Sequence, residues 1–263
     1  MDLGLKDKVV IVTGGAKGVG AGICEAFAEE KAKIVVDFRS DAAQGEAFAR
    51  SLRSFYQVEA VAVQADVSKE ADVVALFSKA VEAFGTVDIV INNAATWTRH
   101  LPIEDYSPLD YQRASAANVE SVMLTSRELV RLAKSTGKKA HILNVLTKSV
   151  FWSSSINNST YVATKGAVTA LTRNLAHEVG KDGIFVNAIV PGYVWNSTMD
   201  PDSERYKRTL SYIPNRTMAT PREMGWACAF LCSERASQIN GAVLDCSGGT
   251  MNGHGPDAIC PET

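Results

Sequence analysis

The chain lacks a long hydrophobic run, an excess of either charge, and a signal-like N-terminus. No apolar run in its 263 residues approaches the ~20 that a membrane-spanning helix needs. Its 27 basic and 29 acidic residues leave a net charge of −2, so the basic surface typical of nucleic-acid or anionic-membrane binding is not expected. Residues 1–8 are charged and contain no apolar core of an export signal. We therefore expect a cytoplasmic protein with a small-molecule substrate, no nucleic-acid partner and no membrane partner.

Cysteine and histidine are scarce and scattered. Neither His141 nor His177 has a partner at a spacing that suggests a metal site or a catalytic triad. Cys228 and Cys232 stand in an apolar helical run, a setting typical of small core side chains. With an odd number of cysteines and no export signal, we predict reduced thiols and no metal site. The five cysteines are Cys24, Cys228, Cys232, Cys246 and Cys260.

What the chain does contain is a regular alternation of β-branched runs and amphipathic helical patterns. This rhythm predicts an α/β fold, with a parallel sheet and helices on both faces. No linker or internal repeat interrupts it, so we expect one domain over residues 1–263. The segment 193–219 is long, charged and poorly periodic, and we predict that it is an irregular lid. The predicted strands lie near residues 8–12, 34–40, 60–67, 87–91, 141–147, 184–190 and 242–245.

A glycine-rich loop joins the first predicted strand to the first helix. Gly14, Gly18 and Gly20 give the spacing G-x3-G-x-G. Glycines between a strand and a helix let the backbone turn tightly and approach a pyrophosphate, which then sits on the helix N-terminus. The loop therefore predicts a dinucleotide-binding site.

The end of the second strand carries residues of both charges. An acid at this position favours the free 2′-hydroxyl of NAD, whereas a base favours the 2′-phosphate of NADP. Asp37 and Arg39 both stand here, and Lys17 adds a second cation from the glycine loop. The residue types alone leave the choice of cofactor open.

Tyr161 and Lys165 are four residues apart, one turn on the same face of a predicted helix. A lysine beside a tyrosine stabilises the phenolate and so lowers the pKa of the phenol from about 10. A phenol tuned in this way can exchange a proton with a carbonyl or an alcohol. Alone, the pair is a weak signal, because a tyrosine and a lysine at this spacing are usually an ordinary surface pair of a helix.

In its order of motifs, the chain resembles the short-chain dehydrogenase/reductase family over nearly its whole length. Residues 30–40 are similar to those of glucose-dehydrogenase-type members, and carbonyl reductases share the same motifs. The motifs that carry the resemblance are Thr13-Gly14-x3-Gly18-x-Gly20, Asp66-Val67, Asn92-Asn93-Ala94, Asn118, Tyr161-x3-Lys165, Pro191-Gly192 and Gly248-Gly249.

The resemblance implies a Rossmann-type, doubly wound parallel sheet of about seven strands, nicotinamide-dependent hydride transfer at a carbonyl or carbinol carbon, and a homotetramer or homodimer. Tyr161 would be the general acid/base, and Lys165 would hold the nicotinamide ribose. Asn118 would interrupt its helix and hold a water of the proton relay, while Asp66 would meet the adenine. The residues expected to line the cofactor site are Gly14, Ala16, Lys17, Gly18, Val19, Gly20, Phe38, Arg39, Asp66, Val67, Asn92, Ala94, Tyr161, Lys165, Pro191, Gly192 and Val194.

The chain departs from the family pattern at the catalytic serine. The family places a serine about 13 residues before the tyrosine, but that position holds Lys148. Counting forward from Asn144 instead gives Thr147, which carries the same hydroxyl on a stiffer side chain. We predict that Thr147 takes the role, with Ser149 as the alternative.

Register favours NADP(H) over NAD(H). The position where NAD-preferring relatives keep their ribose-binding aspartate is Phe38. Asp37 comes one residue early, and a shift of one residue on a strand turns a side chain to the other face. Arg39 and Lys17 stand where NADP-using relatives often keep basic residues. We therefore expect NADP(H), with NAD(H) as the alternative.

Several aromatic residues lie in loops after predicted strand ends, where this fold opens its crevice. They could stack on a small sugar, a polyol or a cyclic substrate. A non-catalytic dinucleotide sensor on the same fold is the alternative function, since fold alone does not fix function. The aromatic residues are Trp97, Phe151, Trp152, Tyr193 and Trp195.

Overall fold

Seven parallel strands form one sheet flanked by eight α-helices in the computed structural model, which describes residues 2–97, 100–152, 156–196 and 198–251. The strands are β1 (Val9–Val12), β2 (Lys33–Phe38), β3 (Ala60–Gln64), β4 (Ile89–Asn92), β5 (Ala140–Val145), β6 (Ile184–Pro191) and β7 (Val243–Cys246). The helices are α1 (Gly18–Glu29), α2 (Ala42–Tyr56), α3 (Glu70–Phe84), α4 (Pro108–Ser115), α5 (Ser121–Thr136), α6 (Ser159–Val179), α7 (Glu204–Ser211) and α8 (Pro221–Leu231). The doubly wound parallel sheet is therefore confirmed.

The central strands are apolar on both faces because helices cover both. In β1, Val10 and Val12 pack with α1, α2 and α8, whereas Val9 and Ile11 pack with α3, α5 and α6. All four side chains are at most 1% exposed. Burying one such side chain contributes roughly 1.5–3 kcal/mol, so continuous β-branched runs are stable only in the middle of this sandwich.

The sheet order β3-β2-β1-β4-β5-β6-β7 changes direction at β1. There β1 pairs with β2 on one side and with β4 on the other, so the two following chain segments leave in opposite directions. In such sheets a ligand crevice opens beyond the carboxyl ends of the strands at this switch point. The glycine loop leaves β1 at that point.

Two predicted elements differ from the structure. The segment 193–219 is not continuously irregular: it contains α7, which the Ser203 hydroxyl caps by accepting the Tyr206 N–H at 3.2 Å. The segment's ends are clamped together, since the Trp195 N–H donates to the Ala219 carbonyl at 2.8 Å. The second is the helical pattern of residues 107–134, which is divided into α4, a π-helical turn (Ala116–Glu120) and α5.

The cysteines that the structure describes form no disulfide bond. Cys24, Cys228 and Cys232 are buried and free, and Cys246 is half-buried and free. Cys260 lies outside the described residues. Among the residues that the structure describes, no helix is both long and apolar enough to cross a membrane, and no group of acidic, histidine and cysteine side chains is placed to hold a metal ion.

Candidate active site

The glycine loop between β1 and α1 is locked to the end of β4. The Thr13 hydroxyl donates to the Ile91 carbonyl at 3.1 Å and accepts the N–H groups of Asn93 and Ala94 at 3.0 Å. A Cβ on Gly20 would lie 2.3 Å from the carbonyl oxygen of Gly14, so only glycine lets α1 approach the loop this closely.

Helix α1 begins at the cleft with open amide groups. Its N-cap, Lys17, makes no side-chain capping bond, and the first turn contains no acid. The first N–H groups of a helix have no intrahelical partner, and together with the helix dipole they favour an anion. This end of α1 can therefore receive a phosphate group.

One cleft of about 530 Å³ runs from the glycine loop to α6. This volume falls within the range of roughly 300–1,000 Å³ typical of small-molecule sites. Gly18, Asn92 and Asn118 are not part of its wall. The predicted site residues that line it are Gly14, Ala16, Lys17, Val19, Gly20, Phe38, Arg39, Asp66, Val67, Ala94, Thr147, Tyr161, Lys165, Pro191, Gly192 and Val194.

Asn92 does not lie where it was predicted. It is buried in β4, where its amide donates to the Asn144 side chain at 2.9 Å and accepts the Thr125 hydroxyl at 2.6 Å. The next residue, Asn93, lines the cleft instead and donates to the Thr13 carbonyl at 2.9 Å. Successive side chains point in opposite directions along a strand, so the prediction was wrong by one residue. It placed Asn92 in the cleft, where Asn93 lies, and Asn92 is a core residue.

The prediction for Asp37 was also wrong. We expected its side chain to point away from the cofactor site, but Asp37 lines the cleft. One carboxylate oxygen accepts the Gly14 N–H at 3.0 Å, and the other is buried without a partner among the described residues. Burial raises the pKa of Asp37 to about 7. At neutral pH this carboxyl therefore carries only part of a negative charge.

Two cations lie at the same end of the cleft. Lys17 and Arg39 are exposed, line the wall, and form no ion pair with any residue that the structure describes. The backbone of Arg39 is fixed, since the Gln64 amide donates to its carbonyl at 3.0 Å. Phe38 faces α2 closely, as a Cβ on Gly45 would lie 2.4 Å from its ring.

Asp66 follows β3 and closes this end of the cleft. Partial burial opposes its ionisation, but hydrogen bonds from Ser68 and the positive charges of Lys69 and Arg39 together keep the pKa of Asp66 below its usual value. The Ser68 hydroxyl and N–H donate to one Asp66 oxygen at 2.7 and 3.2 Å. The adjacent Val67 adds an apolar surface to the wall.

The other end of the cleft brings together Tyr161, Lys165 and Thr147. Tyr161 and Lys165 lie one turn apart on α6 and are 4% and 3% exposed. The Lys165 ammonium donates to the Val145 carbonyl at 2.8 Å and lies 6.0 Å from the centre of the Tyr161 ring. Val145 ends β5, two residues before Thr147, so the strand end and the helix face converge.

The pKa values of this pair differ from the sequence prediction. Burial raises the pKa of Tyr161 to about 12 and lowers that of Lys165 to about 8. Lys165 does not by itself lower the pKa of the Tyr161 phenol toward neutral pH. Desolvation disfavours the phenolate, and the Lys165 ammonium is hydrogen-bonded to the Val145 carbonyl. In this state Tyr161 is a protonated phenol at any physiological pH.

The position of the catalytic hydroxyl favours Thr147 over Ser149. Thr147 lines the cleft and Ser149 does not. The Thr147 hydroxyl accepts the Ser149 N–H at 3.4 Å, which caps the 3₁₀ turn Lys148–Val150. This hydrogen bond holds the threonine side chain where β5 leads into the turn.

Trp97 covers one face of the Tyr161 ring. The ring centres are 4.4 Å apart and the planes differ by 16°. Trp97 is 66% exposed and lines the cleft, so it offers its other face to a bound molecule. Of the five aromatic residues predicted near the crevice, the other four (Phe151, Trp152, Tyr193 and Trp195) are not in the cleft wall.

Asn118 interrupts its helix, as predicted, but its side chain is fully occupied. It lies in the π-helical turn and is 0% exposed. Its amide accepts the Thr96 N–H at 2.7 Å and donates to the Thr96 carbonyl at 3.1 Å and to the Thr164 hydroxyl at 3.0 Å. The side chain therefore ties the loop that carries Trp97 to α6.

Sequence reasoning missed Asn93 and the surroundings of Lys148. The pair Asn92-Asn93 at the end of β4 was a signal for an amide in the cleft, but the wrong asparagine of the two was chosen. The ammonium of Lys148 lies 3.5 Å from the centre of the Tyr193 ring, a contact between two strand ends that no local pattern indicates.

Comparison with known proteins finds similar sequences and structures over nearly the whole chain. A family model described as enoyl-(acyl carrier protein) reductase matches residues 14–251. The chain is 33% identical over 247 residues to glucose 1-dehydrogenase 2 of Bacillus subtilis, covering 93% of this chain and 95% of the relative.

Two solved structures are similar over nearly the full length. L-Sorbose reductase from Gluconobacter frateurii, complexed with NADPH and L-sorbose, superimposes with a TM-score of 0.88 at 28% identity, covering 96% of this chain and 100% of that one. A 7α-hydroxysteroid dehydrogenase complexed with NADH and 7-oxo glycochenodeoxycholic acid gives 0.86 at 30% identity, covering 94% and 96%. The two neighbours hold different nicotinamide cofactors.

Proposed function

The chain belongs to the short-chain dehydrogenase/reductase family of nicotinamide-dependent oxidoreductases acting on CH–OH groups, and we propose that it interconverts a carbonyl and a secondary alcohol. We propose a small sugar, polyol or cyclic compound as the substrate and NADP(H) as the favoured cofactor. The observation that carries the proposal is the single cleft that joins a phosphate-binding glycine loop to Tyr161, Lys165 and Thr147.

The catalytic residues act on the substrate oxygen. The bound nicotinamide supplies or accepts the hydride. In reduction, Tyr161 donates its proton to the carbonyl oxygen, and the Thr147 hydroxyl hydrogen-bonds the same oxygen. In oxidation, the Tyr161 phenolate takes the hydroxyl proton. Because burial raises the pKa of Tyr161, the proton-donor form predominates, and alcohol oxidation should speed up as pH rises.

The remaining residues at this end position the reactants. Lys165 would hold the ribose next to the nicotinamide. Since the Asn118 side chain is used by Thr96 and Thr164, we expect a relay water to be held by the main chain of the π-helical turn and not by the amide. Trp97 would form one wall for the substrate.

The cations at the far end of the cleft support our proposal of an adenine dinucleotide with a 2′-phosphate. The open N–H groups of α1 would take the pyrophosphate, and Asp66 and Val67 would border the adenine. Lys17 and Arg39, both without an ion-pair partner among the described residues, would take the 2′-phosphate. The partial neutralisation of Asp37 reduces the repulsion that a charged carboxylate would exert there.

A panel of sugars, polyols and cyclic ketones, followed at 340 nm with NADPH and with NADH, tests the proposal. We expect turnover with NADPH at a higher kcat/KM than with NADH. The double variant Lys17→Ala, Arg39→Ala should lose roughly 10- to 100-fold with NADPH, as charge-assisted bonds to a phosphate predict, and change little with NADH. A strong NADH preference contradicts the cofactor assignment. Tight cofactor binding without turnover of any substrate would favour the sensor.

A further inference from the structure

Lys148 carries a positive charge beside the catalytic end of the cleft, although it is not one of the residues that line the cleft wall. It follows Thr147 directly and begins the 3₁₀ turn after β5. Its ammonium lies over the ring of Tyr193, which follows Gly192 after the end of β6. Thr147 and Gly192 both line the cleft. Since β5 and β6 are neighbours in the sheet, the charge lies between two strand ends that border the substrate region.

This cation is half-buried and has no counter-ion. Over the described part of the chain, its ammonium makes no ion pair and no hydrogen bond, and its one contact of electrostatic kind is the Tyr193 ring at 3.5 Å. Burial lowers the pKa of Lys148 to about 8, so it remains mostly charged at neutral pH. Proteins normally pair a desolvated charge, and a single aromatic face offsets only part of the desolvation.

A second cation without an ion pair among the described residues lies on α7, within the segment 193–219. Burial raises the pKa of Tyr193, and electrostatic repulsion from Tyr212 raises it further. The Arg208 guanidinium on α7 donates to the Tyr212 oxygen at 2.9 Å and forms no ion pair with a described carboxylate. Each of the two cations therefore contacts a phenol and, among the described residues, neither pairs with a carboxylate.

We propose that the substrate carries a carboxylate, and that Lys148 is the residue that binds it while the carbonyl or carbinol carbon lies at Tyr161 and Thr147. Adjacent Cα atoms are about 3.8 Å apart, so a compact oxo acid or hydroxy acid can reach Thr147 and Lys148 together. This assignment rests on the proposed function and narrows its substrate class.

The carboxylate takes no part in the bond changes. In oxidation, the carbinol carbon of the hydroxy acid loses a hydride to the oxidised nicotinamide, and its hydroxyl proton passes to the Tyr161 phenolate. The products are the oxo acid and the reduced cofactor. In reduction, the same hydride and proton return. Lys148 is a specificity-determining residue, since it contacts the substrate away from the reacting atoms.

The test compares matched cyclic ketones that differ only in charge. The 3- and 4-oxocyclohexanecarboxylates are assayed beside their carboxamides, with NADPH, in the wild type and in Lys148→Met, Lys148→Arg and Lys138→Met. Lys138 is an exposed lysine two residues before the start of β5, at the end of the strand away from Lys148. Its variant controls for the loss of one positive charge. Calorimetric titration of the NADPH-loaded protein with the same carboxylates measures binding without turnover.

We expect the wild type to prefer a carboxylate to its amide by roughly 10- to 100-fold in kcat/KM, the range for a hydrogen bond to a charged group. Lys148→Met should abolish the preference through KM and change amide turnover less than threefold. Lys148→Arg and Lys138→Met should keep it. Equal use of both ketones by the wild type, or an equal loss for both in Lys148→Met, overturns the assignment.

The outcomes separate this inference from the proposed function. Turnover of neutral ketones, sugars or polyols without any carboxylate preference leaves the proposed function intact and removes the role of Lys148. Carboxylate binding that depends on Lys148, with no turnover of any substrate, supports the anion site and contradicts the proposed reaction. Absence of Lys148-dependent binding and of turnover overturns both.

Discussion

At the scale of single residues, the site depends on a threonine where the family pattern has serine. Thr147 lines the cleft beside Tyr161, and its hydroxyl caps the turn that follows. We predict that Thr147→Ala lowers kcat roughly 10²- to 10³-fold, the cost of removing one donor to a developing oxyanion. Thr147→Ser should retain most of the activity because it keeps the hydroxyl.

Ser149→Ala is the matched control for that measurement. Ser149 does not line the cleft, so its variant should stay within about threefold of the wild type in steady-state assays. Full turnover in Thr147→Ala with a large loss in Ser149→Ala would exchange the two assignments.

Asp37 makes the stability of the fold depend on pH. Burial raises its pKa to about 7, so the folded chain binds this proton more tightly than the unfolded chain does. The stabilisation is complete below the usual carboxyl pKa and is lost as pH rises toward 7. A shift of this size corresponds to about 4 kcal/mol, taken as an order of magnitude.

We predict that Asp37→Asn removes this decline from the free energy of unfolding between pH 4.5 and 7.5. Urea denaturation measures the free energy of unfolding of the wild type and of Asp37→Asn at each pH. Burial lowers the pKa of His141 to about 4, so His141 has the opposite effect on stability. This effect is common to both proteins and cancels when one free energy is subtracted from the other. Asp202→Asn, an exposed carboxyl change, is the control. Parallel pH curves for wild type and Asp37→Asn would contradict the account.

At the scale of elements, the π-helical turn between α4 and α5 connects the substrate loop to α6. Asn118 in that turn bonds the backbone of Thr96 and the hydroxyl of Thr164. Asn118→Ala removes three hydrogen bonds, although the Thr164 hydroxyl keeps its bond to the Tyr161 carbonyl. Each lost bond costs roughly 0.5–1.5 kcal/mol. We expect a lower melting temperature and a lower kcat, because the loop that carries Trp97 loses its anchor.

Calorimetry and steady-state kinetics on the same preparation check this expectation. Gln112→Ala on the exposed face of α4 is the control. An Asn118→Ala protein with unchanged melting temperature would show that the amide bonds contribute little.

How far sequence predicts elements depends on whether the pattern is local. The strands were located well because each is a short apolar run bounded by turn residues. The π-helical turn was not predicted, since Asn118 gains its partners from Thr96 and Thr164, which are distant in sequence. Helix α7 was missed because its eight residues are almost all polar and bury no side chain. That its segment acts as a lid remains a proposal.

The site shows the same limit. Tyr161, Lys165 and the glycine loop were identified because their motifs stand in the order of the family pattern, not from the spacing of any one motif. Asn92 and Asp37 were misplaced by one residue in the strand register. The raised pKa of Tyr161 was not predictable, because spacing gives proximity to Lys165 and says nothing about how deeply α6 buries both side chains.

At the scale of the whole molecule, we expect a homodimer or homotetramer. The edge strand β7 and the neighbouring α8 expose Leu244, Phe230 and Trp226, at 38%, 39% and 52%. An apolar edge of this kind is suited to burial against a second copy. Phe230→Glu should lower the mass measured by light scattering, whereas Phe55→Glu, on a more exposed residue of α2, should not.

A wild-type protein that is already monomeric, or a loss of mass in Phe55→Glu alone, would contradict this use of the β7 edge.

The central claim is that Tyr161 is the proton-transfer group of a cleft that also binds a nicotinamide cofactor. The most direct test is Tyr161→Phe, which removes one hydroxyl from a buried ring, measured for carbonyl reduction and for cofactor affinity in the same preparation. We predict a fall in kcat/KM of roughly 10²- to 10⁴-fold, the range for general acid–base catalysis, with the cofactor Kd within about threefold of the wild type. A variant that keeps its turnover within a factor of about ten would contradict the account.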